Sequence, residues 1–104
     1  IGYSLIALDL FANYLDHNED DEVIEAVRKL IRFITCFIHP DGTVGGTYGN
    51  RCTSHVVPFG IKYFSNLGIP EAIYLQDWYT HHKKEKRIID PLQMDDKYFA
   101  YFCC

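Results

Sequence analysis

The sequence predicts an all-α chain built from antiparallel helical hairpins. Three observations carry that reading. Apolar residues recur at i, i+3 and i+4 over 3–16, 20–38 and 54–84, the spacing of one helix face. Polar, proline or glycine punctuation separates these stretches. The one long glycine-rich stretch, 39–53, falls between one helix pair and the next. A chain of 104 residues allows one small domain, read as a single helical-hairpin segment over 1–104. Its hydrophobic fraction of 48% is too high for a disordered tail, and its charged fraction of 23% is too high for a membrane protein. No apolar run approaches the ~20 residues of a spanning helix. Ten Lys and Arg against fourteen Asp and Glu leave a net charge of -4, which argues against a basic nucleic-acid binder.

The first helix is expected from Tyr3 to Asp16, with Leu5, Leu8, Phe11 and Leu15 on its buried stripe and Leu10 and Tyr14 widening it. The polar break His17-Asn18-Glu19-Asp20 follows. Asp20 or Asp21 caps a second helix to Ile38, whose early acids suit the positive end of its dipole. Its buried stripe is Val23, Val27, Leu30, Ile31, Ile34, Phe37 and Ile38, while Glu22, Glu25, Arg28, Lys29 and Arg32 lie on the other side. Pro40 stops this helix, Asp41-Gly42 makes a turn, and Gly45, Gly46 and Gly49 keep the loop irregular. A third helix starts near Ser54 or His55, tolerates Pro58 in its first turn, and ends at Leu67-Gly68. Pro70 opens a fourth, to Lys84, with Ala72, Leu75, Trp78 and Tyr79 apolar and His81-His82-Lys83-Lys84 as its solvated, dipole-matched end. A connector around Pro91 leads to a fifth helix capped by Asp95-Asp96. The order of hairpin, loop, hairpin reads as a repeat of about 50 residues whose units bury their faces on one another.

The chain opens at Ile1 without Met and closes on the apolar run Tyr98 to Cys104, so it reads as a piece of a longer parent chain. The cysteines show no C-x-x-C pair; Cys36 is placed on an apolar helix face as a reduced, buried thiol. Neither His81-His82 nor Cys52-x-x-His55 supplies a four-ligand set, and adjacent helical histidines point about 100° apart, so no metal or cofactor is expected. Asp95-Asp96 is read as a helix cap rather than a magnesium motif.

The run Phe37-Ile38-His39-Pro40-Asp41-Gly42-Thr43-Val44-Gly45-Gly46 resembles the inter-helix turns of (α/α) toroid enzymes. With its continuation Thr47-Tyr48-Gly49-Asn50-Arg51 and His55, it looks most like the heparinase and alginate-lyase group of polysaccharide lyases. Gly46-Thr47 departs from the Gln-His-type tail of one lyase subgroup. The resemblance implies part of an incomplete toroid and β-elimination on an acidic polysaccharide or other glycan. Such a reaction needs a group at the sugar carboxylate, a base for the adjacent C5 proton and an acid for the leaving oxygen. Asn50 or Arg51 suits the carboxylate, and Tyr48 or His55 the proton transfers. Ordinary structural roles exist for the same four: packing for Tyr48, a turn for Asn50, an ion pair for Arg51 and a helix start for His55. The other readings are a non-catalytic helical-repeat module that binds a glycan or protein, and a terpenoid-cyclase-like or six-hairpin glycosidase toroid. In the glycosidase reading Asp41 is a candidate acid.

Overall fold

The computed structural model describes residues 2–45 and 56–88. These residues are all-helical, as the periodicity predicts, with α1 at Gly2–His17, α2 at Asp21–Thr35, α3 at Phe59–Asn66 and α4 at Pro70–Lys84. Among them, extended pairing is limited to one antiparallel bridge, Ile38 with Val44. The connector around Pro91 and the fifth helix at Asp95 fall outside the described residues.

Each helix packs on two others: α1 on α2 and α3, and α4 on α3 and α2. The core sits between them, built from Leu5, Leu8, Ala12 and Leu15 of α1, Val27, Ile31 and Ile34 of α2, Ile61 and Phe64 of α3, and Ala72, Leu75, Trp78 and Tyr79 of α4. The α2 stripe therefore faces inward as its spacing predicts, and its charged residues face solvent. Asp20 caps α2, its carboxylate accepting from the Val23 N–H at 3.1 Å. The chain passes from α3 to α4 through Gly68, whose φ of +81° is open to glycine at little steric cost, and Pro70 occupies the first turn of α4. Across the outside, Arg32 of α2 pairs with Glu71 of α4 at 2.7 Å.

Four expectations are corrected. On α1 the buried face is rotated: Asp9 and Ala12 point inward, while Leu10, Phe11 and Tyr14 are exposed. Helix α2 ends at Thr35 rather than Ile38, because Ile38 pairs with Val44 and turns the chain out of helical geometry. Helix α3 begins at Phe59, with Pro58 as its N-cap and 56–58 non-helical; the proline ring disfavours helical backbone in the residue before it. Cys36 is exposed at the C-cap of α2, its thiol donating to the Arg32 carbonyl at 3.4 Å.

The α1–α3 contact is unusually close. A Cβ on Gly60 would stand 2.6 Å from the Leu8 carbonyl carbon and oxygen and 2.8 Å from the Asp9 nitrogen, so only glycine lets the two backbones meet. Helix α3 lacks a cap from its own N-terminal side chain. Asp9 supplies one from α1: its Oδ1 accepts from the Gly60 N–H at 2.6 Å, satisfying a donor that the helix itself leaves open.

Candidate functional site

Tyr48, Asn50, Arg51 and His55 lie outside the described residues, so the structure neither assembles nor separates them. Both ends of the segment that carries them are described. Gly45 and Val56 are buried, and the turn that delivers the chain to Gly45 is tightly built.

That turn follows from its sequence. Phe37 pairs with Gly45, whose N–H donates to the Phe37 carbonyl at 2.9 Å, and His39 donates to the Thr43 carbonyl at 2.9 Å. The Gly42 N–H closes the corner onto the His39 carbonyl at 3.1 Å, around Pro40 and Asp41. Proline presets φ at the first central position, and Gly42 takes the left-handed φ of +91° that follows. Asp41 has the ordinary turn role predicted for it. Its Oδ1 accepts from the Thr43 N–H at 2.9 Å and from the Thr43 hydroxyl at 2.7 Å, and these bonds hold its carboxyl below the usual range. Since the Thr43 hydroxyl hydrogen goes to Asp41, His39 Nδ1, 2.7 Å from the same oxygen, is the donor to it. The result is a chain His39 Nδ1–H to Thr43 Oγ1–H to Asp41.

Helix α4 holds the turn from beneath. The Trp78 indole N–H donates to the His39 carbonyl at 2.8 Å. His82, one helical turn on, is 3% exposed, its ring centroid 5.3 Å from that of Trp78 and 4.9 Å from that of His81. This corrects the solvated helix end expected for both histidines: only His81 faces solvent. A Cβ on Gly42 would stand 2.9 Å from His82 Nδ1 and 3.0 Å from Arg87 Cβ, so the Asp-Gly corner rests directly on the imidazole. Burial, reinforced by His81 and Arg87, pushes the His82 imidazolium below the ordinary histidine range.

No family model, curated protein or solved structure matches this chain.

Among the described residues no group of three or more His, Cys, Asp or Glu is disposed to hold a metal, and no helix is long and apolar enough to cross a membrane. Two polar side chains are buried against the sequence expectation: His82, expected in a solvated helix end, and Asp9, to which the sequence reading gave no role. Asp9 shares one helix face with positions 5, 8, 12 and 15, but α1 is apolar nearly all round and its sequence does not select that face. Burial pushes the Asp9 carboxyl up to about 6 against the lowering effect of the Gly60 N–H. Trp78 is among the apolar residues the sequence assigns to the core; its indole N–H, which needs a partner when buried, was the unused signal.

Proposed function

We propose that this chain is part of a carbohydrate-active enzyme of the (α/α) toroid kind, acting on an acidic polysaccharide by β-elimination. The observation that supports it is the anchoring of the 46–55 segment. One end leaves a hydrogen-bonded turn seated on α4, and the other re-enters at the buried Val56 just ahead of α3. Long loops held at both ends by a rigid scaffold are where binding and catalytic groups concentrate. The packing of α1 on α3 and of α2 on α4 is compatible with helical hairpins stacked on one another.

In this reading Arg51 or Asn50 binds the uronate carboxylate and draws charge off C5. Tyr48 or His55 takes the C5 proton, the C4–O bond breaks, a C4=C5 double bond forms, and the glycosidic oxygen leaves with a proton. The test is to incubate the full-length protein that carries this chain with polyuronates and with a neutral glucan. Polyuronate alone should yield the ultraviolet absorbance of a double bond conjugated to a carboxylate. Tyr48→Phe should lower that rate by roughly 10²–10⁴ without unfolding the protein. Cleavage without the absorbance would replace the lyase by a glycosidase. Retention on polyuronate without cleavage would favour a helical-repeat binding module, and neither binding nor cleavage would overturn the proposal.

A further inference from the structure

The His39–Thr43 turn rests on a histidine whose facing nitrogen has no partner. His82 is almost wholly buried, and its Nδ1 finds no hydrogen-bond partner among the described residues. The atom it faces is the α-carbon side of Gly42, close enough that a methyl group there would stand 2.9 Å from Nδ1. A bare, unprotonated Nδ1 tolerates that contact. A protonated one does not, because it would be a buried cationic donor with no acceptor in front of it. The charged groups acting on the ring are known on each described side. Asp41 acts from the turn and His81 from α4; Glu85 and Arg87 act from the chain just beyond α4. Both carboxylates favour a proton on His82, while Arg87 and His81 oppose it. Of the two carboxylates, Asp41 belongs to the turn itself, where it is held by the two bonds from Thr43.

We propose that His82 is a proton-operated latch on this turn. Neutral, it lets Gly42 close onto the ring; protonated at Nδ1, it pushes Gly42 off the ring and draws the Asp41 carboxylate away from Thr43 toward itself, which opens the Asp41-Gly42 corner. Release of Asp41 frees the Thr43 N–H and hydroxyl together, and with the hydroxyl goes the fixed partner of His39 Nδ1. The effect therefore passes from one buried ring on α4 to the turn from which the 46–55 segment departs. The inference concerns the turn alone and does not depend on what that segment does.

The experiment is a site-resolved NMR titration of the 104-residue chain from neutral to acid pH. It follows the three described imidazoles of this region, His39, His81 and His82, together with the Gly42 and Thr43 amides. The Gly42 and Thr43 shifts should move with the midpoint of His82, below that of an ordinary histidine. Exchange of the Thr43 amide, corrected for its intrinsic pH dependence, should accelerate on the order of tenfold or more, as expected when a charge-assisted hydrogen bond is lost. His82→Phe keeps a ring beneath Gly42 and removes the proton site, so the coupled movement should vanish. The latch is overturned if the two amides follow His39 or His81, if they stay still while His82 titrates, or if the movement survives in His82→Phe. Should that variant fail to fold, the wild-type midpoints alone decide the matter.

Discussion

Replacing Asp9 by Asn should change how stability depends on pH more than it changes the fold. The Asp9 carboxyl is buried between α1 and the start of α3, accepts from the Gly60 N–H at 2.6 Å, and is pushed up from 3.8 to about 6, chiefly by desolvation. A folded-state value above the unfolded one means that the folded protein binds the proton more tightly. The associated stability is fully present below the unfolded value and is lost as pH rises through about 6. At about 1.4 kcal/mol per unit, the difference amounts to at most about 3 kcal/mol between acid and neutral solution. Asparagine keeps an oxygen for Gly60 and cannot ionise. Urea midpoints for both proteins at about pH 4 and about pH 7.5 should then diverge, with Asp9→Asn gaining on wild type toward neutral pH. Taking the difference between the two proteins cancels the opposite contributions of Asp41 and Glu71, whose carboxyls lie below their usual values. A wild-type-minus-variant difference that stays flat with pH, or runs the other way, would refute the burial argument.

Gly60→Ala gains helix propensity but drives a methyl group into the α1 backbone at Leu8 and Asp9, so it should destabilise by roughly 1–3 kcal/mol in urea unfolding. A stabilised variant would mean that α1 and α3 are not in backbone contact. Ile34→Ala empties a fully buried position on α2 and should cost about 2–5 kcal/mol, while Glu25→Ala, on the exposed face beside Arg28, should leave the urea midpoint nearly unmoved. Similar losses from the two would mean that the inward face of α2 has been misassigned.

Local signals located most of the secondary structure. The α2 stripe, the Asp20 cap, Gly68 after α3 and Pro70 at the head of α4 each act within a few residues, and each is found where the pattern puts it. What the pattern could not supply is the partner of each face. Helix α1 is apolar nearly all round, so its sequence offers Phe11 and Tyr14 for burial as readily as Asp9 and Ala12. The choice is made by Gly60, fifty-one residues away, whose missing side chain admits the α1 backbone and whose N–H needs the Asp9 carboxylate. His82 was misjudged for a similar reason: the end of α4 is basic and reads as solvated, but the Gly42 corner folds over one of its rings. The Asp41 turn was legible because proline, aspartate and glycine specify it locally. The candidates Tyr48, Asn50, Arg51 and His55 rest on residue type and resemblance, since they lie beyond the described part of the chain.

Trp78 is the chain's single tryptophan, and its position makes it a built-in optical probe. Its indole N–H is bonded to the backbone of the turn, and its ring lies against His82. An excited indole is quenched by electron transfer to a neighbouring imidazolium far more than to a neutral imidazole, and its emission shifts to longer wavelength when water reaches it. The intensity therefore reports the charge on one particular ring, and the wavelength reports whether the turn is seated. The two can be followed in a stopped-flow instrument on the natural protein, with no label attached.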